Sequence, residues 1–222
     1  VYTNAGQNAW TAYVSRRGQR RQVAGRTLPA FALTSGNLAL PAWVFTQLGG
    51  QDASMRTYGG GDSEFGCRLG RELGLPVRAN PAAVAEGELT KSLDGALWQM
   101  EEFGAINLRH LARAYPEYPR AFRLDLLAGR TPRAQGFRAL LQPGLAKLAR
   151  QLATGRLPAG LRYRAVAYLV VYHRFRGFRK GIAGLDASVQ ERLQRWHAAG
   201  EALNLTASER EQLQRGALRP AE

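Results

Sequence analysis

The sequence predicts an α/β region over residues 1–90 followed by an all-helical stretch over 91–222. Two observations predict this. Short apolar runs alternate with helical spacing and glycine loops as far as about residue 90, the mark of mixed α/β structure. Beyond Lys91 the apolar residues recur every three or four positions and no further strand pattern is found.

In chain order, Asn8 to Val14 reads as a short helix running into the basic sequence Arg16-Arg17-Gly18-Gln19-Arg20-Arg21. Pro29 opens an extended stretch, with Phe31–Thr34 and Asn37–Leu40 as strand candidates on either side of Ser35-Gly36. Pro41 suits the first position of a helix over Ala42 to Leu48, which Gly49-Gly50 ends. After the loop through Tyr58, Asp62 to Leu73 is helical, with Phe65, Leu69 and Leu73 on one face and Gly74 as the stop. Val77-Arg78-Ala79 is a further strand candidate.

In the second stretch Leu93, Leu97, Met100, Phe103 and Leu108 predict one long helix toward Tyr115, interrupted by Pro116 and Pro119. Helices are expected at about 120–129, 134–153, 161–180, 186–200 and 206–215. The capping box Thr206-Ala207-Ser208-Glu209 marks the start of the last one. Glu101-Glu102 reads as a solvated helix face.

Composition narrows the function classes. With 45% hydrophobic and 22% charged residues the chain is globular rather than disordered. Lys and Arg number 31 against 17 acidic residues, and the net charge of +14 favours anionic partners. The single cysteine, Cys67, excludes an internal disulfide and suits a reducing compartment, where it packs as a small apolar residue. The longest apolar run, Ala165 to Tyr172, falls far short of the roughly 20 residues a membrane span needs. The chain opens on Val1 rather than Met, as expected of a segment from within a larger protein.

The chemistry-bearing stretch is Tyr58-Gly59-Gly60-Gly61-Asp62-Ser63-Glu64-Phe65. A carboxylate at a helix start can cap free backbone N–H groups. Beside glycines that leave space, it can equally meet a substrate hydroxyl and take its proton. Upstream lie Thr34-Ser35-Gly36-Asn37, the apolar helix, and Gly49-Gly50-Gln51-Asp52; downstream lie Arg68-Leu69.

In that order and spacing, Leu33 to Glu88 resembles glycosyltransferase family 2 and the related galactosyltransferase C-terminal segment. The resemblance implies the C-terminal, acceptor-side part of a GT-A-type (nucleotide-diphospho-sugar transferase) fold over 1–90, with a helical C-terminal extension over 91–222. It implies an inverting transfer from a nucleotide sugar to a glycan or lipid-linked acceptor, with Asp62 as base. Tyr58, Gly60, Gly61, Glu64 and Asn37 would line the acceptor site, with Glu64 also able to support the loop and Asn37 and Asp52 to hold the loops together. A divalent cation, Mg²⁺ or Mn²⁺, would serve the intact enzyme through ligands mostly outside this chain.

The chain departs from the pattern in three places. Gly61 stands where the family has Glu, and Glu86-Gly87-Glu88 where many members have His. The five Asp are isolated, so the Asp-x-Asp of the nucleotide-binding half is missing and that half is expected upstream. His110, His173 and His197 are not spaced as metal ligands.

The second basic run, His173-Arg174-Phe175-Arg176-Gly177-Phe178-Arg179-Lys180, interleaves cations with aromatics and suits an anionic membrane surface or a solvated face. A cytoplasmic protein, peripheral at the inner face of the membrane, is the expected location. Two rivals stand beside the transferase: a basic nucleic-acid-binding module and a noncatalytic scaffold. No helix-turn-helix, zinc, RNA-recognition or KH signature is present, so no specific nucleic acid is expected.

Overall fold

The structure, a computed structural model, describes residues 3–4, 7–19, 26–55, 57–115, 126 and 131–181. The helices expected at 120–129, 186–200 and 206–215, with the Thr206 capping box, Arg20-Arg21 and His197, lie outside the described residues.

The described residues are mostly helical: α1 (Ala9–Gln19), α2 (Ala42–Gln47), α3 (Gly61–Leu73), α4 (Leu93–Ala105), α5 (Asn107–Ala114), α6 (Pro132–Ala139), α7 (Pro143–Thr154) and α8 (Ala159–Lys180). Their one sheet has two strands, β1 (Thr27–Leu28) and β2 (Val77–Arg78), paired antiparallel with Thr27 opposite Arg78 and Leu28 opposite Val77. No described helix is long and apolar enough to cross a membrane.

Local chemistry explains most boundaries. Asn8 caps α1, its Oδ1 accepting from the N–H groups of Trp10 (2.9 Å) and Thr11 (3.0 Å). Thr131 caps α6 through a bond from Ala134 N–H, and Pro132 occupies the first helical position. Pro143 likewise opens α7, so the single helix expected over 134–153 is two. The long helix toward Tyr115 also divides, at Ile106, whose backbone (φ −115°, ψ −79°) departs from regular α-helix values.

Two strand expectations are corrected. Ala30–Ala32 and Ser35–Asn37 form 3₁₀ turns, where strands were expected at 31–34 and 37–40. The first turn's backbone groups bond locally, Ala32 N–H to Pro29 O and Leu33 N–H to Ala30 O. Gly66 of α3 lets that turn press against the helix, since a Cβ there would lie 2.0 Å from Ala30 O.

The chain forms two compact units, each assembled from separate stretches: 1–52, 61–96 and 143–169 in one, 53–60, 97–142 and 170–222 in the other. The first has a core of Leu33, Val44, Leu48, Phe65 and Leu69, edged by Leu40, Leu73, Leu75 and Val77. Burying these side chains supplies the main driving force for the unit. Here Tyr163 stacks on Tyr13 and carries the Arg16 guanidinium 5.2 Å from its ring centre, so part of the first basic run is tied down.

The second unit is built on the crossing of the end of α4 with the end of α8. Gly104 meets the backbone at Arg174 and Phe178, and Gly177 meets the backbone at Glu101 and Ala105. Phe175, expected at a membrane interface, is instead buried edge-on against Phe137. Glu101-Glu102 is not a solvated face: Glu102 is buried, and Glu101 bonds His173 Nδ1 (3.2 Å) and faces Arg176 and Lys180. Burial opposes ionisation of Glu101. The bond from His173 and the charges of Arg176, His173 and Lys180 outweigh it and hold the carboxyl below its usual value.

Candidate catalytic site around Asp62

Gly61 begins α3, and Asp62 stands in its first turn, where a carboxylate meets the positive end of the helix dipole. Its Oδ2 accepts the backbone N–H of Ser35 at 3.0 Å. Among the described residues no second donor bonds the Asp62 carboxylate, and the residue is half-buried. Ser35 lies in the turn Ser35–Asn37, and Asn37 Nδ2 ties that turn to Ala83 O at 2.6 Å. Residues 27 positions apart are thus brought to one carboxylate, on a loop that is itself anchored.

Glu64 and Arg68, one turn apart on α3, form a second group. Arg68 reaches Glu64 with two parallel bonds, Nε to Oε1 (2.7 Å) and Nη2 to Oε2 (2.8 Å). The same guanidinium donates to Leu48 O and Gly50 O and lies over the Phe65 ring. Its targets sit in the Gly49-Gly50 turn, where φ is +70° and +78°, a conformation glycine adopts without strain. Glu64 is 3% exposed at its side chain. Of its two expected roles, the geometry fits loop support.

In the second unit, Gly59 and Gly60 take φ of +78° and +92°, close over Phe103. The buried Asn107 at the start of α5 donates to Thr57 O (3.1 Å) and Gly59 O (2.6 Å), setting the loop that carries Tyr58. Tyr58 is half-buried. The expected site residues therefore divide: Asn37, Gly61, Asp62 and Glu64 belong to the first unit, Tyr58 and Gly60 to the second.

Comparison of the chain with protein-family models, with curated proteins and with solved structures finds no match.

Sequence reasoning missed Asn107, which is buried at the start of a helix whose other polar residues, Arg109, His110 and Arg113, made one more polar residue unremarkable. It also missed the Ser35 N–H, since a backbone donor leaves no trace in residue identity. Among the described residues, no three of His, Cys, Asp and Glu gather into a cation site. The donor set for Mg²⁺ or Mn²⁺ is not found in these residues.

Proposed function

We propose that this chain is the acceptor side of an inverting glycosyltransferase, with Asp62 as the base. The observation that carries the reading is the fixed carboxylate: Oδ2 is held by Ser35 N–H, and Oδ1 bonds no described residue. A base positioned this way needs no reorganisation before taking a proton. Oδ1 accepts the proton of an acceptor hydroxyl as that oxygen bonds to the anomeric carbon, and the bond to the nucleotide diphosphate breaks. Arg68 and Glu64 act on the turn at Gly49-Gly50, and Asn37 on the Ser35 turn, so they position rather than react. No step is assigned to the divalent cation. The protein works in the cytoplasm, peripheral to the inner face of the membrane.

The nucleic-acid alternative draws on the +14 charge, yet several cations are held internally, among them Arg16, Arg68 and Arg176. The scaffold alternative draws on Gly61, which leaves one carboxylate fewer beside Asp62.

Asp62→Asn in the intact protein separates catalysis from structure. The amide oxygen can still accept the Ser35 N–H, so folding is retained, while the base is gone. Release of nucleotide diphosphate with an acceptor present is expected to fall at least about a hundredfold, the low end for losing a general base. Turnover equal to wild type would remove Asp62 from the chemistry.

A further inference from the structure

The polarity of α7 runs against the usual arrangement of a surface helix. Ala146, Ala149 and Ala153 face inward and are buried, while Leu145, Leu148 and Leu152 stand 39%, 49% and 38% exposed. At i, i+3 and i+7 these leucines form one continuous outward stripe. Leu161, at the start of α8 in the same unit, is 51% exposed. Large apolar side chains gathered on a surface mark a contact site.

The charge around the stripe says what it contacts. The stretch 143–169 carries Lys147, Arg150, Arg156, Arg162 and Arg164 and no acidic residue. Extending outward, no acid occurs anywhere between Asp125 and Asp186, while twelve Lys and Arg do. Arg150 is committed to Asp94; Lys147, Arg156, Arg162 and Arg164 are exposed. A second copy of this face would set like charges against each other. A nucleic acid would leave the leucines in water, since aliphatic side chains cannot stack on bases as aromatics do. An anionic bilayer satisfies both parts: leucines enter the acyl boundary and cations stay at the phosphates.

We propose that α7 is the membrane-contacting element of this protein, its leucine stripe inserting shallowly into an anionic leaflet. The inference specifies the surface behind the peripheral location given above and does not depend on Asp62. It also moves the contact away from 173–180, where Phe175 is buried.

The test is flotation of the full chain with vesicles of phosphatidylglycerol and phosphatidylcholine, and with phosphatidylcholine alone. Binding is expected only to the anionic vesicles and is expected to weaken as salt rises. The triple variant Leu145→Ala, Leu148→Ala, Leu152→Ala keeps helix propensity and is expected to bind roughly a hundredfold more weakly with an unchanged circular dichroism spectrum. Lys147→Gln with Arg156→Gln and Arg162→Gln is expected to lose at least about tenfold. Asp62→Asn is expected to bind as wild type, which separates this surface from the catalytic reading. Equal binding by the leucine triple variant and wild type would overturn the proposal. So would loss in that variant of a concentration-dependent dimer, or of duplex DNA binding, without vesicle binding by the wild type.

Discussion

Replacing Gly104 with Ala tests how the second unit is held together. A Cβ at Gly104 would lie 1.8 Å from Arg174 O and 2.8 Å from its carbonyl carbon. The obstacle is backbone within α8, so no side-chain rotation relieves it. Reaching ordinary contact would force the two helices apart by roughly 1.5 Å and loosen the packing on both sides of the crossing. Overpacking of this kind costs about 1–3 kcal/mol and sometimes more, while Ala returns about 1 kcal/mol of helix propensity. The net loss is expected at up to about 2 kcal/mol. For a chain of this length that lowers the thermal midpoint by up to roughly 8 °C.

Gly177→Ala meets the same wall from the other helix, with its Cβ 2.0 Å from Glu101 O. One separation of the helices would relieve both clashes, so the double variant is expected to lose less than the sum of the singles. Gly136→Ala is the control, because its Cβ would enter open space. It is expected to be neutral or to gain up to about 1 kcal/mol. Thermal unfolding followed by circular dichroism reads all four proteins. A Gly104→Ala midpoint at or above wild type would refute the close crossing.

Arg68→Lys keeps the charge but loses the fork that serves Glu64, Leu48 O and Gly50 O together; a loss of about 1.5–3 kcal/mol is expected in urea unfolding. For Glu101, the folded carboxyl lies below its usual value of 4.5, so its contribution to stability is complete above that value and is lost as pH falls through the lower, folded value. Glu101→Gln is expected to cost roughly 1–3 kcal/mol near neutral pH by leaving Arg176, Lys180 and the His173 ring without their shared acid, and to flatten stability against pH in the acid limb. An acid limb unchanged in Glu101→Gln would show that the pairing contributes nothing.

Helices were legible wherever one face repeats. Phe65, Leu69 and Leu73 mark α3, which runs as read from its Gly-rich start to Gly74. The segments at 31–34 and 37–40 were not legible, because three apolar residues in a run of four carry no periodicity that separates a strand from a 3₁₀ turn. For 31–34 the close fit of Ala30 and Leu33 against Gly66, which has no side chain, supplies what the run itself lacks. The candidate site shows the same limit. Asp62 at a helix start could be read from three glycines and an acid, and the Glu64–Arg68 spacing is that of a helical ion pair. Its partner Ser35 lies 27 positions away and contributes only its backbone. Glu101 looked solvated because its three partners are more than 70 positions further along the chain.

The positive charge shows why composition could not choose a function. A cation bound to a carbonyl, a carboxylate or a ring has already spent its attraction inside the molecule, and it adds little to the field that a partner meets. Arg16, Arg68, Arg109, Arg176 and Lys180 have such partners. Lys147, Arg156, Arg162 and Arg164 are exposed, within a stretch that has no acid to neutralise them. Counting charges merges these two populations, while placement separates them. In the basic run at 173–180, Phe175 is buried and the partly exposed Arg176 and Lys180 face Glu101; in the stretch at 143–169 exposed leucines lie beside exposed cations. Attraction to an anionic surface should therefore follow the second group. Removing Lys147, Arg156 and Arg162 should lower it more than removing Arg176 and Lys180, although the second pair lies in the denser cluster.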